Sequence, residues 1–229
     1  VHFWHPTGAG KTLTGILWAL LAPGNVVIVT RAASRLQYGR EVERYTHLRP
    51  YVVRPTSTLK KGAQTLAEYM AEAGRRIVIV GWEALTHNLD WLEQYAWTSA
   101  IYDESHRGKS SKRWDRIPLV ELEGTNEERS ALIRSQESDA RGRGGFITES
   151  DDGSRAMMVP YLNTASAAAR VARAANRRAL TTATPVKDRV RDLWGQLDLA
   201  EPDSWGSATT WMNRYCDRKP GRYGGFDTT

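Results

Sequence analysis

A chain of 229 residues supplies one domain with a sizeable core and is too short for a complete two-lobed motor. With 41% hydrophobic, 25% charged and 9% aromatic residues it has the composition of a soluble globular protein, which excludes a fibrous or wholly disordered chain. The formal net charge of +6 suits a polyanionic partner.

A lone cysteine, Cys216, forms neither an internal disulfide nor a thiolate metal cage and points to a reducing compartment or to indifference to redox. The longest apolar run, residues 16–23, is far short of the roughly 20 residues that cross a bilayer, so no membrane partner is expected. No signal peptide is recognisable, and residues 1–5 open directly into a strand, so the natural start is expected upstream.

In chain order, strands are predicted at 1–5, 25–30, 51–54, 76–81, 99–103 and 178–182, and helices at 11–21, 34–45, 63–72, 83–94, 165–177 and 188–197. Runs 26–29 and 77–80 are apolar throughout, which suits strands covered on both faces of a mostly parallel sheet. Such alternation predicts a doubly wound α/β fold with helices on both faces. Residues 121–155 are rich in charge, Gly and Ser and poor in aliphatic clusters, so a flexible insertion without packed elements is expected there. Its tract Arg141-Gly-Arg-Gly-Gly145 reads as a solvated loop in preference to an RNA-contacting basic-glycine element, for which one copy is a weak signal.

Three motifs carry chemistry. His5-Pro-Thr-Gly-Ala-Gly-Lys-Thr12 lies between a strand and a helix, where a phosphate loop belongs. Gly8 and Gly10 let the backbone curl so that the amides of 7–12 (Thr7, Gly8, Ala9, Gly10, Lys11, Thr12) surround an anion at the helix N-terminus. Lys11 is expected to reach the β- and γ-phosphates of ATP and Thr12 to offer its hydroxyl to Mg²⁺.

Ile101-Tyr-Asp-Glu-Ser-His106 ends an apolar strand. Asp103 would hold Mg²⁺ through water, Glu104 would orient or deprotonate the attacking water, and His106 would link the site across the cleft. A hydrolase triad of Asp103, Ser105 and His106 fails because sequence neighbours cannot point at one another. A zinc site at Glu104 and His106 lacks a second His at helical spacing, and a solvated helix start stays as the plain alternative. Thr182-Ala-Thr-Pro185, also at a strand end, offers hydroxyls from Thr182 and Thr184 that would couple the acidic motif to distant surfaces.

In this order the motifs resemble the first RecA-like lobe of superfamily-two helicases, and within them the Swi/Snf-type translocases. Residues 5–12 look like motif I, 27–45 like motif Ia, 77–85 like motif Ib, Asp103-Glu-Ser-His106 with Arg107 and Lys109 like motif II (a DEAH box), and 182–185 like motif III. The tail is similar too: Pro185-Val-Lys-Asp188, Asp192-Leu-Trp194, Pro202 and Trp205-Gly206, with Arg214-Tyr-Cys-Asp217 closest to the annealing-helicase branch. Departures are His5 in place of the usual first glycine, Pro6-Thr7 where acidic residues usually precede the glycines, Arg31 where motif Ia often has Pro, and the insertion.

The resemblance implies a single RecA-like P-loop lobe over 1–229 that hydrolyses ATP with Mg²⁺ and steps along duplex or forked DNA when joined to a second lobe that supplies arginine fingers and is not among these residues. Glutamine and arginines at 136–143 are discounted as a substitute finger because they lie in the insertion. Expected DNA contacts are Arg31, Arg35, Arg107, Lys109, Lys112 and Arg113, with Trp82 and Trp114 as candidates for base stacking and the other tryptophans in packing roles. The competing readings are the motor lobe of a restriction-type translocase or an RNA helicase, and a nucleotide- or DNA-binding module that does not turn over alone. The expected setting is the nucleoid-associated cytoplasm of a bacterial or phage-infected cell.

Overall fold

In a parallel sheet each strand turns alternate side chains to opposite faces, so both faces need helices. The computed structural model describes residues 1–54, 63–109, 114–119, 125–142, 145–150, 153–160, 162–186, 190–216, 218–220 and 226–228. Its elements are β1 (His2–Trp4), α1 (Lys11–Leu20), β2 (Val26–Thr30), α2 (Arg35–Thr46), β3 (Tyr51–Val52), α3 (Leu66–Ala71), β4 (Ile77–Gly81), α4 (Leu89–Gln94) and β5 (Trp97–Asp103). There follow β6 (Trp114–Pro118), α5 (Asn126–Gly142), β7 (Phe146–Glu149), β8 (Arg155–Pro160), α6 (Thr164–Arg173), β9 (Ala175–Thr182), α7 (Asp192–Ala200), α8 (Ala208–Tyr215), β10 (Arg218–Pro220) and β11 (Phe226–Thr228). Six strands form one sheet in the order β1-β9-β5-β2-β4-β3, every pair parallel.

The apolar runs divide between two cores with strand periodicity. Val26, Ile28, Ile77, Ile79 and Ile101 face α1 and α2, where Ile16, Tyr38 and Val42 meet them. Val27, Val29, Val78, Val80, Ala100 and Tyr102 face the other way, onto Leu89 and Leu92 of α4, Ala168 and Val171 of α6, and Leu199 of α7. Burying each of the larger aliphatic side chains is worth about 1.5–3 kcal/mol, so the alternation fixes register as well as stability. Cys216 lies buried against Trp194 and Trp211 in a third, smaller cluster.

Two boundaries differ from the sequence reading. The predicted helix at 165–177 stops at Arg173, because residues from Ala175 onward pair with β5. Arg178 explains why charged residues are tolerated there: its guanidinium donates to the carbonyls of Ala172 and Ala200, at the C-terminal ends of α6 and α7. The predicted helix at 83–94 is two short 3₁₀ turns before α4 begins at Leu89.

The expectation of an insertion without packed elements over 121–155 is corrected. β8 pairs antiparallel with both β6 and β7, and α5 packs against β7 and β8 with Ala140, Ala156 and Met157 buried. Arg155 donates to the Gln136 amide at 2.8 Å, so part of the charge that made the segment look unstructured is used inside it. Within the Arg141–Gly145 tract, residues 143–144 lie outside the described residues. Among the described residues no helix is long and apolar enough to cross a membrane.

Ile101, fully buried at the centre of the sheet, tests this packing. Ile101→Ala is expected to lower the unfolding free energy by about 2–5 kcal/mol, read from urea denaturation.

Candidate nucleotide-binding and catalytic site

Residues 5–10 connect β1 to the start of α1. Gly8 and Gly10 have φ of 85° and 78°, a left-handed backbone that side-chain-bearing residues rarely adopt and that the loop needs to curl. Lys11 is folded back across the loop, its ammonium donating to the carbonyls of His5 and Pro6, each at 3.0 Å. Exposed backbone and one lysine at the N-terminus of a ten-residue helix make a place for an anion of high charge.

Register brings the acidic motif beside this loop. β5 lies between β2 and β9, with Tyr102 opposite Val29 and Asp103 opposite Thr181. Both neighbouring threonines consequently reach Asp103: Thr30 donates to Oδ2 and Thr181 to Oδ1, each at 2.8 Å. Burial pushes the Asp103 carboxyl above the usual carboxylate range, with the two threonine hydrogen bonds and Lys11 pulling it back and Glu104 adding to the rise. Such a carboxylate, beside the Lys11 charge and with hydroxyl rather than cationic partners, fits a hard cation. Among the described residues no three His, Cys, Asp or Glu cluster as metal ligands. The donor set of Asp103 and Thr12 suits Mg²⁺, which keeps several waters and takes few protein ligands alongside substrate phosphates.

Glu104 follows in a left-handed conformation, φ 54°, which costs a residue with a Cβ roughly 1 kcal/mol and turns its side chain out of the strand. His106 Nδ1 lies 3.3 Å from the Glu104 carboxylate and 3.1 Å from the Thr182 hydroxyl, and the Thr184 amide donates to that same hydroxyl at 3.1 Å. Thr7, Arg31, Glu104, His106, Arg107 and Thr184 line one open cleft of about 390 Å³. Motifs distant in sequence thus share one wall.

Thr30, Thr181 and Gln196 escaped the sequence reading, and Ser105 has a role other than the one weighed for it. Thr30 and Thr181 became visible only through register. Ser105, buried, donates to the Gln196 side chain at 2.8 Å, and Gln196 in turn donates to the Pro185 carbonyl, so α7 ties the acidic motif to the Thr182–Pro185 segment. Close packing supports this tie, because a Cβ at Gly195 would collide with the Gly108 carbonyl.

The expected DNA contacts divide. Trp82 is corrected: it is fully buried and donates its indole N–H to the Asp103 carbonyl at 2.7 Å, so it braces the acidic strand and offers no face for stacking. Arg35 is turned to the carbonyls of Ala32 and Val53, Arg107 pairs with Glu83 at 2.9 Å, and Lys109 with Asp192 at 3.3 Å. Arg31 stands exposed at the mouth of the cleft. Lys112, Arg113 and the Trp114 side chain lie outside the described residues.

Residues 1–129 match the family described as "Type III restriction enzyme, res subunit". Among solved structures the chain is similar to the Sulfolobus solfataricus SWI2/SNF2 ATPase core in complex with double-stranded DNA, with a TM-score of 0.54 and 16% identity over 94% of this chain and 34% of that one. At that identity the likeness is one of fold, the RecA-like α/β lobe, and this chain spans about a third of the other. No curated protein matches. Both likenesses agree with a helicase- or translocase-type ATPase domain.

Asp103 carries a pH test. Its carboxyl is raised above its unfolded value, so the folded state holds that proton more tightly; the stability it contributes is full below the unfolded pKa and lost as pH rises through the folded one. Asp103→Asn removes this titration and is expected to equal or exceed the parent in urea stability at neutral pH, with a flatter profile through the acid range.

Proposed function

We propose that this chain, which belongs to the family of type III restriction enzyme res subunits, is the ATP-binding and hydrolysing lobe of a motor that moves on DNA. The observation that carries the reading is the Asp103 carboxylate bracketed by Thr30 and Thr181, beside the phosphate loop, with Glu104 and His106 on one cleft.

Lys11 leaves the His5 and Pro6 carbonyls to reach the β- and γ-phosphates, while the amides of 7–12 hold the phosphate oxygens. Thr12 and Asp103 would hold Mg²⁺, which when bound neutralises charge on the phosphates. Glu104 orients the attacking water and takes its proton. His106, against both Glu104 and Thr182, senses whether that carboxylate is engaged and passes the state to Thr184 and, through Ser105 and Gln196, to α7. A second lobe completes the clamp on the transferred phosphoryl group, so the lobe alone binds nucleotide and turns it over slowly.

Of the two motor classes, the family match favours a restriction-type translocase over a Swi/Snf remodeller. Arg31 and the net charge of +6 support nucleic-acid binding, and the double-stranded DNA bound to the Sulfolobus solfataricus ATPase core supports duplex as the track. The motor would work in the nucleoid-associated cytoplasm.

The direct test is titration of this chain with a fluorescent ATP analogue and Mg²⁺, and ATP turnover of the protein joined to its second lobe with duplex DNA, single strands or RNA. Binding that Lys11→Ala weakens at least tenfold, and duplex-stimulated turnover that Glu104→Gln lowers about 10²–10⁴-fold with binding retained, is the expected result. Stimulation by RNA alone, or turnover indifferent to Glu104→Gln, overturns the reading.

A further inference from the structure

Tyr38, on α2, is buried among Ile16, Ile28 and Ile101, on the side of the sheet that carries the phosphate loop. Its hydroxyl interacts with the Thr12 and Thr181 hydroxyls and with the charge of the Asp103 carboxylate. Their interaction is weak, and the buried oxygen has no hydrogen bond of full geometry. Burial pushes the phenol well above its usual range, reinforced by Asp103 and opposed by Thr12 and Thr181, so the group is a neutral hydroxyl throughout the working pH range. A phenylalanine would fill the same space without an unsatisfied polar atom, and leaving such an atom buried costs folding free energy. The side chain therefore makes sense only in a state where its hydroxyl is paired.

We propose that Tyr38 is a positioning residue for the Mg²⁺–nucleotide site, its oxygen accepting the Thr12 hydroxyl hydrogen when that threonine turns a lone pair to the cation. A hydroxyl that gives a lone pair to a metal must direct its hydrogen elsewhere, and the Tyr38 oxygen is the buried acceptor beside it. The Tyr38 hydrogen then turns toward Asp103, whose carboxylate accepts it, so α2 joins the two residues assigned to the cation. Residue 38 lies well outside the phosphate loop and the acidic motif, which is why neither motif reveals it. This inference rests on the nucleotide-binding reading above.

Its test compares the parent with Tyr38→Phe by thermal unfolding and by binding of a fluorescent ADP analogue, each with Mg²⁺ and with EDTA. The expected result is an apo melting temperature at or above the parent's, an unchanged affinity in EDTA, and a Mg²⁺-dependent gain in affinity reduced about threefold to tenfold, the worth of one neutral hydrogen bond. An unaltered Mg²⁺-dependent gain overturns the inference alone. So does a loss of affinity that persists in EDTA, or an apo melting temperature several degrees lower, since either marks a purely structural hydroxyl. A parent that binds no nucleotide at all, with or without Mg²⁺, overturns the nucleotide reading and this inference with it.

Discussion

Asp103 is gripped from both sides by hydroxyls of neighbouring strands, and that grip exists only because β5 runs parallel between β2 and β9 in a single register. A one-residue slip of β5 would turn Asp103 toward the opposite face and put Tyr102 in its place. Register is in turn held by the alternation of the core, in which Ile101 must meet α1 and α2 while Ala100 and Tyr102 meet the other layer. The chemistry at the end of the strand and the packing along it are therefore one constraint. Trp82 adds a third anchor by holding the Asp103 carbonyl from the adjoining turn.

Much of this was legible in the residues. Apolar runs at 26–29 and 77–80 gave away the doubly covered strands, and Gly8, Gly10 and Lys11 between a strand and a helix gave away the loop, because each signal is local. The placement of Asp103, Glu104 and His106 at a strand's end near that loop was legible for the same reason. Thr30 and Thr181 were not, since nothing in a Val-Thr or Leu-Thr pair says which strand will lie beside it. Trp82 was misread because an aromatic next to a motif looks the same whether it faces solvent or the core. The segment 121–155 was misread because its charges obscured a sparse set of buried residues such as Gln136 and Ala140.

Around the cleft the structure favours polar ties over apolar contact. Ser105 and Gln196 are both buried; the Ser105 hydroxyl donates to the Gln196 side-chain oxygen, and the Gln196 amide nitrogen donates to the Pro185 carbonyl. A satisfied network of this kind is stiffer in orientation than a pair of aliphatic side chains, which can slide. It also joins α7 to two motifs at once, while Lys109 and Asp192 tie the same helix at its first turn. Any shift of the Glu104–His106 turn would therefore be felt along α7, toward the cluster of Trp194 and Trp211 and the helix α8.

The resting position of Lys11 has a consequence for what the loop will accept. Its ammonium is already solvated by two carbonyl dipoles, those of His5 and Pro6, so an arriving anion gains only the difference between its own attraction and theirs. For a singly charged ion that difference is small, whereas a triphosphate brings several charges to the same point. The loop's own carbonyls thus weight the site toward multiply charged anions over singly charged ones.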